Sequence, residues 1–148
     1  MNLWPLRLLW LLALVACGSR REPQLPAVSP PPPVAAVPAA DEGAGYRPTA
    51  PAYQRGEASY YHDGLAGNRT AGGEIYDPSQ LTAAHRKLPF GTVIDVVRDD
   101  GRWVRVRVND RGPFIRGRVV DVSRRAAEHI GLIRPGVAGV TIYVVSQP

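Results

Sequence analysis

Three short segments each set one ionisable side chain among glycines and prolines. Glu74 ends residues 70–74 (TAGGE), His85 lies within residues 81–87 (LTAAHRK), and Asp110 within residues 108–114 (VNDRGPF). Two carboxyls and an imidazole of this kind suit proton transfer on a sugar, which needs carboxyls held in a pocket rather than on a solvated helix face. Gly72, Gly73 and Gly112 permit backbone angles closed to other residues, and Pro113 fixes one more, so these loops read as shaped rather than slack. Taken singly, a loop Asp or Glu is more often a turn former or a solvated charge. The three contexts together argue for chemistry.

Asp110 follows a β-rich run in which Val108 points inward, and Arg111-Gly112-Pro113 breaks the ladder after it. Shielding by Pro113 and Phe114 would raise its pKa and keep it protonated as a general acid; otherwise it caps the turn or pairs with Arg111. Glu74 would stabilise an oxocarbenium-like transition state or position the substrate, or else sit in water. A neutral His85 can donate to one group and accept from another, so it would orient a carboxyl or a sugar hydroxyl, or serve as a capping or core histidine. Tyr60, Tyr61 and Tyr76 flank these loops, where their faces would stack on sugar rings or fill the core. Arg69 and Arg111 complete the candidate substrate contacts. His62 and His129 read as structural. No His or Cys spacing suits a metal ligand set, so neither a metal nor another cofactor is expected.

The elements that must position these groups are short. Residues 57–61 read as a first strand, and a polar, Gly-rich loop at 62–77 carries Glu74. Residues 79–86 read as a short helix, because Pro78 and Ser79 suit its start and Ala83-Ala84 favour it. Residues 92–97 and 103–108 are β-rich runs joined by Asp99-Asp100-Gly101-Arg102, a hairpin signal. Arg105 and Arg107 alternate with valines, which predicts the solvated face of a strand. Residues 118–122 form another strand, Ser123 caps a helix running to Ile130 with Gly131 as its stop, and residues 137–145 close the set. Short strands with Gly/Pro turns argue for a small, mainly β barrel.

The three segments, with Gly56-Glu57-Ala58-Ser59-Tyr60-Tyr61, residues 68–77, Leu88-Pro89 and Val120-Asp121-Val122-Ser123, resemble the rare lipoprotein A family of bacterial lytic transglycosylases. The resemblance runs from about Gly56 to Val145. It implies a six-stranded double-psi β-barrel with two short helices, the fold of expansins, and it carries catalytic roles onto Glu74, His85 and Asp110. It also implies endolytic cleavage between N-acetylmuramic acid and N-acetylglucosamine with 1,6-anhydro ends as product. A non-catalytic, expansin-like module that loosens the wall is the alternative. Arg69 and Lys87 would meet the lactyl carboxylates of the glycan. The family's Trp-Tyr-Gly is replaced here by Tyr60-Tyr61-His62, so one glycan-facing aromatic differs. The C-terminal glycan-binding module of many members has no counterpart before Pro148.

The N-terminal third follows other rules. A weakly basic start and an apolar run end in Leu14-Val15-Ala16-Cys17, too short to span a membrane and shaped like a secretory signal. Residues 1–16 therefore read as a lipoprotein signal peptide, and Cys17, the only cysteine in the chain, as the lipidated residue. Two or three acyl chains would hold it to a membrane. Gly18 in place of Asp favours the outer over the inner membrane, on the periplasmic side of the envelope. Residues 17–55 are rich in Pro and Ala, with Pro30-Pro31-Pro32-Pro33 at the centre, and too poor in large apolar residues for a core. They read as a disordered tether able to reach on the order of 100 Å toward the wall. Residues 56–148 are left for the barrel.

The formal charge of +5 and pI near 9.9 fit an anionic partner. The envelope signal makes that partner peptidoglycan glycan rather than nucleic acid. Only one of the 18 basic residues is lysine, which points to coding bias rather than function. The protein is expected to act as a monomer.

Overall fold

The structure is a computed structural model that describes residues 46–148; the expected signal peptide, Cys17 and most of the tether lie outside the described residues. Six strands build the barrel: β1 (Ala52–Tyr60), β2 (Thr82–His85), β3 (Val93–Arg98), β4 (Trp103–Asp110), β5 (Arg118–Val122) and β6 (Ala138–Ser146). They close in the order β1-β5-β2-β4-β3-β6. β1 pairs with β5, and β2 with β4, in parallel; the other neighbours are antiparallel. Closure leaves no sheet edge open.

The order contains two skips. β1 and β2 follow one another in the chain yet flank β5, and β4 and β5 flank β2. The connections that make these skips, residues 61–81 and 111–117, are the ones that carry Glu74 and the turn after Asp110. This is the double-psi crossing, and it folds both loops back onto strands from which they are distant in sequence.

The valine alternation of β4 drives the core. Val104, Val106 and Val108 are fully buried, as are Ile94 and Val96 of β3, Val120 and Val122 of β5, and Val140 and Ile142 of β6. Each such side chain contributes roughly 1.5–3 kcal/mol of apolar burial. Ala58 and Ala83 are fully buried in the same core. One α-helix, α1 (Arg124–His129), seals an end: Ser123 caps it by accepting from the Ala126 N–H, and Ala126, Ala127 and Ile130 turn inward. Gly131 at φ 62° ends it, as its sequence position predicts.

Two expectations are corrected. Residues 79–86 do not form a helix. Asp77 Oδ1 instead accepts from both the N–H and the hydroxyl of Ser79, and residues 82–85 form β2, buried along its whole length between β4 and β5. Two ladders and complete burial outweigh a few tenths of a kcal/mol of alanine helix preference. The only other helical piece among the described residues is a 3₁₀ turn, Asp63–Leu65. The domain also begins earlier than residue 56. β1 pairs with β6 from Ala52 onward, and Tyr46 packs its ring 5.2 Å from both Trp103 and Tyr143.

Candidate active site

Asp110 stands at the end of β4, where three pieces of chain meet. Its Oδ1 accepts from the backbone N–H groups of Ala71 and Arg111, each at 2.8 Å, and its Oδ2 accepts from the Tyr61 hydroxyl at 2.8 Å. The first skip delivers Ala71 and Tyr61; the second begins at Arg111. Close approach fixes the arrangement. Gly72 N–H donates to Asn109 O at 3.0 Å, and a Cβ at Gly72 would stand 2.5 Å from that oxygen. Gly112, at φ 129°, takes a conformation that side chains disfavour and starts the second skip.

Tyr61 packs 4.7 Å from Tyr76, and burial, with the hydrogen bond to Asp110, pushes its hydroxyl pKa upward, so it remains a protonated phenol. These two rings, with Leu65, Asn68, Arg69, Thr70 and Asp110, line a cleft of about 210 Å³. Arg69 is fixed there by donating to Gly73 O at 2.5 Å. Asp110, Tyr61, Tyr76 and Arg69 thus meet at one cleft, with Tyr76 buried at its base. The shielding of Asp110 has a different source. Pro113 is buried, but Phe114 projects into solvent at 81 % exposure, and the cover comes from Tyr61 and the 70–74 turn.

Glu74 is not in the cleft. Arg107 donates to both its oxygens, at 2.6 and 2.7 Å, and Asn109 Nδ2 donates at 3.0 Å. The Arg107 hydrogen bonds hold its carboxyl below the usual range against partial burial, so it is a fixed anion. The reading of Arg105 and Arg107 as a solvated face is therefore corrected. The alternation is as expected, but the outside of β4 is covered. The 70–74 turn lies over Arg107, and Arg105 pairs with buried Asp95 at 2.7 and 3.0 Å, where the Tyr46 hydroxyl also donates at 3.2 Å.

His85 is likewise held elsewhere, at the end of β2 rather than on a helix. Its Nδ1 accepts from the N–H groups of Lys87 and Leu88 at 3.2 and 3.0 Å, which leaves Nε2 to donate to Gln54 Oε1 at 3.0 Å. Burial first, then the neighbouring Arg111 charge, lowers its pKa to about 4. It is a neutral turn-capping residue with both nitrogens engaged. Arg111 donates to His85 O and Leu88 O at 3.2 and 2.8 Å and stacks 3.7 Å from the Phe90 ring, so it braces the turn instead of facing the cleft. Tyr60 is half-buried against the core. Arg107 and Asn109 were missed as site-supporting residues. Their signal was the i, i+2 spacing just before Asp110, on the strand end that the 70–74 turn must meet. Among the described residues no cluster of His, Cys, Asp and Glu could hold a metal ion.

Residues 53–142 match the protein-family model described as lytic transglycolase. Over 96 residues the chain is 53 % identical to a probable endolytic peptidoglycan transglycosylase RlpA of Nostoc sp., a match covering 63 % of this chain and 26 % of that protein. It is 46 % identical over 91 residues to the endolytic peptidoglycan transglycosylase RlpA of Pasteurella multocida, covering 61 % of this chain and 31 % of that one. The chain thus spans about a quarter to a third of the length of these relatives. Among solved structures, a Streptomyces papain inhibitor matches with TM-score 0.51 and 28 % identity, covering 66 % of this chain and 99 % of that one. An apo Clavibacter michiganensis expansin matches with TM-score 0.50 and 25 % identity, covering 64 % and 50 %.

Proposed function

The chain belongs to the lytic transglycolase family, and from that premise we propose that its barrel cleaves peptidoglycan glycan strands endolytically, with Asp110 moving the proton. The observation that carries this reading is the asymmetry of the Asp110 carboxyl. Oδ1 is tied by two N–H groups that can only donate, whereas Oδ2 meets only the Tyr61 hydroxyl, which can donate or accept. Oδ2 is therefore the oxygen that can carry a proton and release it without losing its partner.

In this mechanism Asp110 gives that proton to the glycosidic oxygen between N-acetylmuramic acid and N-acetylglucosamine. The C1–O bond breaks with its electron pair on the leaving oxygen. The muramyl C6 hydroxyl oxygen then bonds to C1 and its proton returns to Asp110, leaving a 1,6-anhydro end. No water is consumed, so one acid that becomes a base suffices, unlike the two-carboxyl hydrolases. Tyr61 presents a ring face to the sugar, backed by the buried Tyr76 ring, and Arg69 presents a cation to its carboxylate. Glu74 acts at one remove, holding the turn whose Ala71 N–H fixes Asp110.

The likeness to an expansin supports a second reading, a module that binds and loosens the wall without cutting it. Incubating purified sacculi with the full chain separates the two: soluble glycan released by wild type and not by Asp110→Asn supports the enzyme, while binding without release by wild type supports the module. Anchoring through a lipidated Cys17 at the outer membrane completes the proposal and rests on the sequence ending in Cys17. Cys17→Ser should leave an unprocessed or soluble species; a variant acylated and membrane-bound as before would remove the anchor.

A further inference from the structure

The site as described has one carboxyl, but a second lies in the same row of the sheet. Asp121 of β5 is opposite Ala84 of β2, Ala84 is opposite Asp110 of β4, and Asp121 is opposite Ser59 of β1. Residues opposite one another across a regular ladder face the same way. The register shift between Ala83 and Ala84, where β4 carries the extra residue Asn109, is what sets Asp110 opposite Ala84. Ser59, Asp121, Ala84 and Asp110 therefore form one line across four strands. At about 4.8 Å per strand, Asp121 and Asp110 stand roughly 10 Å apart at Cα. Ala84 stands between them in the row, with Gly112 close above it; a Cβ at Gly112 would stand 4.0 Å from that of Ala84. Tyr61, two residues past Ser59 on the same side of the chain, reaches from this line to Asp110.

Asp121 is held in one orientation. Its Oδ1 accepts from Ser59 Oγ at 2.6 Å and from the Arg118 guanidinium. Its Oδ2 has no hydrogen-bond partner among the described residues, and 16 % of the side chain is exposed. Arg118 also donates to Ser59, while its Nε is buried without a partner. One oxygen clamped by two groups and the other left open is the form of a preorganised carboxylate. The Asp121 charge also contributes to the raised Tyr61 hydroxyl, which places it electrically within the site.

We infer that Asp121 is a second catalytic carboxylate: its free Oδ2 faces the saccharide beside Asp110 and stabilises the positive charge that builds at C1 as the glycosidic bond breaks. The inference rests on the glycan-cleaving reading above. Asp121 exchanges no proton and forms no bond. Asp110 protonates the leaving oxygen, the C6 hydroxyl closes on C1, and the fixed anion opposes the transient cation, a preorganised electrostatic effect usually worth 10²-fold or more.

The test is steady-state release of anhydro-ended glycan from sacculi by the full chain. Asp121→Asn keeps the shape and the Ser59 contact but removes the charge. The expected result is a kcat about 10²-fold lower with KM within threefold of wild type and a cooperative melt. Arg118→Gln leaves the carboxylate in place and should lose less than tenfold. Should Asp121→Asn fail to fold because Arg118 is left unpaired, the charge-neutral double variant Asp121→Asn/Arg118→Gln takes its place with the same expected loss. Activity of the Asn variant within threefold of wild type overturns the inference. So does Arg118→Gln falling as far as Asp121→Asn, or failure of both Asn variants to melt cooperatively, since the trio would then serve folding alone. A wild type that releases no anhydro product overturns this inference and the glycan-cleaving reading together.

Discussion

Glu74 and Asp110 are both acidic residues in Gly-rich loop contexts, and both are half-buried and brought to the end of β4, yet they are bonded in opposite ways. Glu74 has cationic or amide donors on both oxygens and is locked as an anion away from the cleft. Asp110 has one oxygen fixed by backbone and the other on a phenol that can reverse its role, and it forms part of the cleft wall. A carboxyl with charged or amide donors on both oxygens has no oxygen left for substrate and holds structure together, and a carboxyl with a reversible partner can move a proton. On the proposed reading, two motif residues thus divide scaffold from chemistry.

The largest effect expected from breaking this contrast is on Asp110. Asp110→Asn should lower glycan release by about 10²-fold or more. Its melting temperature should move by only a few degrees, because the amide still accepts from Ala71 and Arg111. An unfolded variant would mean that Asp110 is scaffold as well. Glu74→Gln should show the inverse pattern. Leaving Arg107 without its anion should destabilise the fold by about 2–3 kcal/mol, seen as a melting temperature roughly 10 °C or more lower. Its residual activity at a temperature where it is folded should exceed that of Asp110→Asn.

His85 sharpens the contrast through pH. Its folded pKa near 4 lies below the unfolded value of 6.5, so the unfolded chain takes up the proton first. Its contribution to stability is therefore present above pH 6.5 and lost as pH falls toward 4, at up to about 1.4 kcal/mol per unit. Glu74, also lowered on folding, adds a loss in the same direction at more acid pH. Urea denaturation of His85→Gln across pH 4–7 should give a flatter stability profile than wild type; an unchanged slope would mean that His85 is not the group. The smallest effect is at the start of the domain. A chain beginning at residue 54 loses the Ala52 pairing and the Tyr46 ring and hydroxyl contacts, and should be about 1–2 kcal/mol less stable than one beginning at 46. Equal midpoints would make the 46–53 segment energetically idle.

Strand periodicity and turn chemistry made much of the barrel legible. The valine alternation of β4, the Asp-Gly hairpin before it, the bounds of β5 and the Ser123 cap of α1 are all local signals, and all appear in the structure. β2 was illegible for the opposite reason. Its Thr-Ala-Ala-His run prefers a helix locally and becomes a strand only because two neighbours, distant in sequence, enclose it. The site divides in the same way. Motif resemblance located Asp110, Tyr61 and Arg69, which share the cleft. It could not separate Glu74 and His85 from them, because the partners that engage those two (Arg107, Asn109 and Gln54) are set by the skipped-strand crossing rather than by nearby sequence. Asp121 was visible within Val120-Asp121-Val122-Ser123 but acquires meaning only from its register with Ala84 and Asp110.

The most direct measurement is the mass of the glycan ends that the wild-type chain releases from purified sacculi. Closure of the C6 hydroxyl on C1, driven by the single proton carried on Asp110, predicts muramyl ends lighter by two hydrogens and one oxygen than a hydrolysis product. Fragments bearing ordinary reducing ends would contradict the account, because water would then be the nucleophile and a second carboxyl would have to activate it.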